Sequence, residues 1–165
     1  WLLSKNKNFI NNFKNEFNKQ NVSSDRIIFS KKLSVDEHLV RIKFADLFLD
    51  TFPYNAHTTC SDSIWAGVPL LTKKGKSFHS RVASSLLKTS NLEELITYSD
   101  REYIDKAVKI ANDVQYLKSL KEKLDKTRDT NPLFNSKFYT KKLEQAFEII
   151  YQRKFENQKP DDIYL

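Results

Sequence analysis

Residues 47–71 read LFLDTFPYNAHTTCSDSIWAGVPLL, and the order of signals in this run decides the fold. Leu47-Phe48-Leu49 is a short apolar strand ending at Asp50, and Val68 to Thr72 is a second. Between them lie an irregular polar loop, Thr51 to His57, and a helix opened at Thr58-Thr59. The helix stops at Gly67, where a left-handed terminal residue costs little, and Pro69 blocks any continuation. Strand, loop, helix and strand in this order bring the free N–H groups of a helix start to a strand end, where an anion is well placed.

Working outward, the same alternation continues. Trp1 to Leu3 reads as a strand, Phe9, Phe13 and Phe17 mark one face of a polar helix, and Arg26 to Phe29 reads as the next strand. Ser34-Val35-Asp36-Glu37 is a capping box that opens a helix to about Phe44. Lys73-Lys74-Gly75-Lys76 makes a turn and Ser77 to Leu87 a short helix. Such βα alternation predicts an α/β, Rossmann-like parallel sheet with right-handed crossovers and helices on both faces. The strand order is not legible.

After Asn91 the pattern becomes helical. Ser99-Asp100-Arg101-Glu102 is a second capping box, and Ile104, Val108, Ala111, Leu117, Leu120 and Leu124 predict one long helix from Ser99 to Lys126. Pro132 ends it, and Ser136 to about Phe155 forms a second long helix through Tyr139, Leu143, Phe147 and Ile150. The expected organisation is a lobe over 1–98, two C-terminal helices over 99–156 packed on it in the same domain, and a polar tail over 157–165.

Composition narrows the function classes. An apolar content of 39% suits a chain of 165 residues that buries one core. With only 2 glycines there is no glycine-rich dinucleotide loop. A single cysteine, Cys60, precludes an intrachain disulfide and points to a cytoplasmic setting. No stretch approaches the ~20 apolar residues of a membrane span. The chain lacks methionine and opens directly in Trp1-Leu2-Leu3, as expected of a piece of a longer protein. A net charge of +7 would favour polyanions, but lysines on solvated helix faces account for it more simply than a nucleic-acid surface. The same holds for the interleaved aromatics of Lys137-Phe138-Tyr139-Thr140-Lys141-Lys142.

Two constellations could carry chemistry. His57-Thr58-Thr59 with Asp62 offers N–H groups and hydroxyls at a helix start, enough to hold a pyrophosphate without a metal; Thr59-x-x-Asp62 is equally readable as a capping box. His38 and Arg41 lie on one helix face and could stack on or donate to a base, or could be surface residues. Asp50 at a strand end could be a general base, although fixing the Thr51 to Tyr54 turn is the simpler role. Arg81 could reach a phosphate or anchor its loop, and Cys60 reads as a small buried residue. His38, His57 and His79 lack zinc spacing and no acidic cluster suits magnesium, so no metal is expected.

Three segments, LDTFPYNAHTTCSDSIWAGVPLLT at 49–72, SRVASSLL at 80–87 and NPLFNSKFYTKKLE at 131–144, closely resemble the C-terminal catalytic lobe of the protein O-GlcNAc transferase family, with its bacterial and SPINDLY-type members. The resemblance runs from about Arg26 to about Tyr164 and is looser before that. It implies the C-terminal lobe of a GT-B glycosyltransferase, inverting and metal-independent, that uses UDP-GlcNAc as donor on serine or threonine of an acceptor protein. It further implies Thr58 and Thr59 at the pyrophosphate, Asp62 near the ribose, His57 near diphosphate and sugar, and His38 and Arg41 at the uracil. The family's lysine beside the ribose is replaced here by Val35. An upstream catalytic lobe and TPR repeats would belong to the same full-length protein, so the isolated chain is expected to bind nucleotide weakly and transfer nothing. SPINDLY-type members use GDP-fucose, and bacterial members extend to UDP-glucose. A non-catalytic nucleotide- or polyanion-binding module is the alternative from another class.

Overall fold

The computed structural model describes residues 1–165, which divide into two compact units, Trp1–Arg41 and Ile42–Leu165. In the first, β1 (Leu2–Leu3) pairs in parallel with β2 (Phe29–Ser30), Leu2 opposite Phe29. α1 (Lys7–Lys19) starts where the Asn6 side chain accepts the Phe9 N–H at 3.1 Å. The four-residue spacing of its phenylalanines stacks Phe9 on Phe13 with centroids 5.6 Å apart, tilts Phe17 against Phe13 at 5.0 Å, and lets Phe13 meet Phe29 of β2 edge-on. The strand expected at Arg26 to Phe29 is therefore shorter and later. Ser23 accepts the Asp25 N–H, winding Ser24–Arg26 into a 3-10 turn before the chain extends. α2 (Val35–Ile42) opens on a complete capping box, in which Ser34 N–H donates to Glu37 Oε2 at 3.1 Å and Glu37 N–H to Ser34 Oγ at 3.4 Å.

The second unit holds β3 (Phe48–Leu49), α3 (Thr58–Trp65), β4 (Leu70–Lys73), α4 (Val82–Thr89) and β5 (Ile96–Thr97). The strands are parallel in the order β3-β4-β5, so each crossover returns its strand beside the previous one. Leu70 and Leu71 of β4 are both 0% exposed. Neighbouring residues of a strand point to opposite faces, so both faces of this central strand are covered by packed residues. Cys60, Ile64, Leu70, Ala83, Leu87 and Leu95 belong to one core, reached also by Ile110, Leu120 and Leu124 from the C-terminal helices.

Two helices and one strand depart from the sequence reading. The long helix of Ser99 to Lys126 is two helices, α5 (Asp100–Asn112) and α6 (Val114–Thr127). Asp113 leaves helical geometry at φ −110° and its carboxylate accepts the Tyr116 N–H at 2.9 Å, starting a new helix with an ordinary aspartate cap. The helix expected from Ser77 is a 3-10 turn, Phe78–Ser80, followed by α4, because Arg81 sits at φ −122° between them. β5 was not expected at all: two residues carry no periodicity, and only pairing with β4 makes Ile96–Thr97 a strand. α7 (Ser136–Phe155) has the bounds read from the sequence, yet buries none of its residues. Beyond it the chain turns at Asn157, with φ 56°, and the Arg153 guanidinium donates to the carbonyls of Asp161 and Asp162.

Cys60 is fully buried, and its thiol is pushed up to about 12 by that burial and by the nearby Asp50 charge. Alkylation follows the thiolate, so iodoacetamide at pH 8 should leave Cys60 unlabelled in the folded chain and label it readily in urea. Rapid labelling under native conditions, followed by mass spectrometry, would contradict this burial.

Candidate functional site

The loop from Asp50 to His57 is built on one carboxylate. Asp50 is 3% exposed at the end of β3; its Oδ1 accepts the Ala56 N–H at 2.7 Å and its Oδ2 accepts the Thr72 hydroxyl at 2.6 Å. The Thr97 hydroxyl in turn donates to the Thr72 carbonyl at 2.9 Å, and the Tyr103 hydroxyl donates to the Asp50 carbonyl at 2.8 Å. The C-terminal ends of all three strands are thus tied together beneath the loop. Burial raises the Asp50 carboxyl above its ordinary value, against the lowering pull of the Thr72 and Ala56 bonds. With both oxygens occupied and no solvent access, Asp50 is a clamp and not a general base. Tyr103 is pushed up to about 12, by its own burial and then by the same charge.

Past the clamp, the loop delivers His57 as the residue preceding α3, at φ −110° and ψ −98°, with no side chain capping the helix. Cys60 and Ser61 N–H both turn back to the His57 carbonyl, at 2.9 and 3.3 Å. Thr58 and Thr59 are the first helical residues and are exposed. This removes the capping-box reading of Thr59-x-x-Asp62: Thr59 lies inside the helix, not before it. Asp62 follows three and four residues after the threonines, which puts it on their face of α3. No side-chain hydrogen bond caps the positive end of the helix, and its first turn holds no acidic residue.

His38 and Arg41 meet within the first unit. Arg41 Nη1 donates to the Lys31 carbonyl at 2.8 Å, and Nη2 lies 3.1 Å from His38 Nδ1. A guanidinium has no lone pair, so Nδ1 of His38 accepts and the proton sits on Nε2. Arg41 Nε is buried without a hydrogen-bond partner. Arg81 is exposed and lines a cleft of about 500 Å³ with Lys74, Phe78 and Lys88. No group of histidine, cysteine and acidic residues is arranged to hold a metal ion, and no helix is long and apolar enough to cross a membrane.

The profile of Glycosyl transferase family 41 matches residues 1–143. The chain belongs to that family. It is 34% identical over 137 residues to the UDP-N-acetylglucosamine–peptide N-acetylglucosaminyltransferase of Caenorhabditis elegans, covering 83% of this chain and 12% of the relative. It is 37% identical over 142 residues to the Arabidopsis thaliana protein named "Probable UDP-N-acetylglucosamine–peptide N-acetylglucosaminyltransferase SEC", covering 86% and 14%. A SPINDLY protein of Solanum lycopersicum is 33% identical over 117 residues, covering 71% and 13%. Among solved structures, a mutant O-GlcNAc transferase of Thermobaculum terrenum superposes with a TM-score of 0.80 at 27% identity, over 87% of this chain and 28% of that one. The chain therefore has the α/β architecture of a GT-B-like lobe and spans about one seventh or less of the curated relatives' length.

Residues to which the sequence reading gave no part in the donor site surround His57. Tyr54 stacks on its imidazole at 5.0 Å, Phe78 meets it edge-on at 6.1 Å, and His79 stacks on Tyr54 at 5.3 Å. Their one legible signal is Gly75, where a Cβ would lie 2.4 Å from Ser80 Oγ and 2.7 Å from Ser80 Cβ. Such close approach requires glycine and marks a loop folded tightly on itself.

Proposed function

We propose that this chain is the nucleotide-sugar-binding lobe of an inverting, metal-independent protein O-GlcNAc transferase that takes UDP-GlcNAc as donor and modifies serine or threonine. The observation that carries the reading is the uncapped, exposed start of α3 at Thr58 and Thr59, in a family 41 chain. Thr58 and Thr59 donate to the pyrophosphate, His57 lies beside the diphosphate and sugar, and Asp62 holds the ribose. The resemblance assigns the uracil to His38 and Arg41, whose side chains meet at 3.1 Å.

In the transfer, the acceptor hydroxyl oxygen bonds to the anomeric carbon as the bond from that carbon to the β-phosphate oxygen breaks, with inversion; the electron pair leaves with UDP. Negative charge grows on the departing phosphate, so N–H groups and the helix dipole at Thr58-Thr59 stabilise the transition state more than the ground state. The acceptor proton needs a base from outside these residues, since Asp50 is sealed. We also propose that residues 1–98 and the helices of 99–156 act as one lobe, and that the rest of a cytoplasmic full-length protein, with its upstream lobe and TPR repeats, covers the apolar side chains of α7 such as Phe138, Phe147 and Phe155.

UDP, GDP and AMP titrated into the chain by two-dimensional NMR at two salt concentrations test the reading. UDP should shift signals at His38 and from His57 to Asp62 selectively, and Thr59→Ala should weaken it about tenfold, the value of one hydrogen bond to a charged group. Preference for GDP would move the donor to the SPINDLY type; a base-blind response abolished by salt would mean a polyanion-binding surface.

A further inference from the structure

His57 is held by more than its own backbone. The carbonyl of His79 accepts two hydrogen bonds from the β3–α3 loop, from the Asn55 N–H at 3.1 Å and from His57 Nε2 at 3.3 Å. A carbonyl only accepts, so this contact requires the proton on Nε2 and leaves Nδ1 as the ring's acceptor, a partner for a ligand hydroxyl or amide N–H and not for a phosphate oxygen. The Tyr54 ring lies parallel to the His57 imidazole within 20° and to the His79 imidazole within 10°. His79 is anchored in turn: its Nε2 meets Ser77 Oγ at 3.1 Å, Ser77 Oγ meets Ser80 Oγ at 2.9 Å, and Ser80 closes on Gly75 through a Gly75 N–H to Ser80 carbonyl bond of 2.8 Å. Tyr54 is 63% exposed, too open to be a core residue, so its ring does more for His57 than for the fold.

We infer that Tyr54 and the 75–80 loop form a clamp that fixes the orientation and tautomer of His57, which makes Tyr54 and His79 positioning residues for the sugar of the donor, whose hydroxyl and amide N–H groups can donate to Nδ1. The inference rests on the reading of His57 as a donor contact. An imidazole held in place before the ligand arrives loses no rotamer freedom on binding, so the clamp acts on affinity through His57 alone.

The test is a double-mutant cycle read by UDP-GlcNAc titration on this chain, with Tyr54→Ala, Tyr54→Phe, His57→Ala and the Tyr54→Ala/His57→Ala pair. Tyr54→Ala should weaken UDP-GlcNAc about tenfold and Tyr54→Phe less than about twofold, because the stacked ring is kept. In the His57→Ala background Tyr54→Ala should cost nothing further. An equal loss in both backgrounds, or a failure of phenylalanine to restore binding, overturns the clamp. The nitrogen-15 signals of His57 in the ligand-free chain give a second reading. They should report a proton fixed on Nε2 in the wild type and in Tyr54→Phe, and averaged tautomers in Tyr54→Ala; averaging already in the wild type also overturns it. If UDP-GlcNAc does not bind even at millimolar concentration, the reading of this chain as a donor site sufficient by itself has failed, and the nitrogen signals decide the clamp by themselves.

Discussion

Asp50→Ala should destabilise the Ile42–Leu165 unit by about 3 kcal/mol, seen as a lower urea midpoint and a melting temperature roughly 10 °C lower. The size follows from what alanine leaves behind. The Ala56 N–H and the Thr72 hydroxyl would both stay buried without their acceptor, at 1–3 kcal/mol each by rough estimate. Asp50→Asn should cost far less, because its amide oxygen still accepts from Ala56 and its NH₂ donates to the Thr72 oxygen, reversing the second bond. The two variants also separate by pH. The folded Asp50 carboxyl is raised above its ordinary value of 3.8 by burial. Its contribution is therefore fully present below that value and is lost as pH rises through the raised one. Wild type should gain stability relative to Asp50→Asn as pH falls from 7 towards 4. A wild-type advantage that instead grew with pH would mean that the ionised form is the favoured one and the clamp is better satisfied than the geometry indicates.

Leu70→Ala should cost about 3 kcal/mol, in the range for a leucine deleted from a core that cannot collapse around the gap. Leu70 is 0% exposed in the central strand, with β3 and β5 paired on either side. Leu70 is laddered to Phe48 of β3, and β5 pairs with the same strand two residues on at Thr72 and Lys73, so the backbone cannot move freely into the cavity. Leu49→Ala, at a residue 50% exposed on the edge strand β3, is the control and should stay within about 1 kcal/mol. Equal losses at the two positions, measured by urea unfolding with unchanged slope, would show that β4 is not the centre of the sheet.

Much of this architecture was legible because its signals are local. The Ser34 and Ser99 boxes, the phenylalanine face of α1, and the Gly67-Pro69 stop each act within a few residues, and the structure has a helix boundary or a packed face at each. Asp113 was local too and went unread, because the apolar spacing on either side of it runs on as though the helix were continuous. In the site, the run His57-Thr58-Thr59 could be named from the sequence, but whether Thr59 capped the helix or opened it could not. That choice depends on where Asp50 pins the loop.

By itself, then, the sequence determined the α/β class, the family, the Ser34 and Ser99 caps and the residue types at the start of α3, all of which are set by near neighbours or by a motif read in order. The tertiary structure alone decided the strand order β3-β4-β5, the existence of β5, the sealing of Asp50 and the gathering of Tyr54, Phe78 and His79 around His57. These depend on contacts such as Asp50 to Thr72, Thr97 to Thr72 and His57 to His79, between residues more than twenty positions apart. Closing such distances costs chain entropy that only the assembled core offsets, and no local pattern records which pairs will meet.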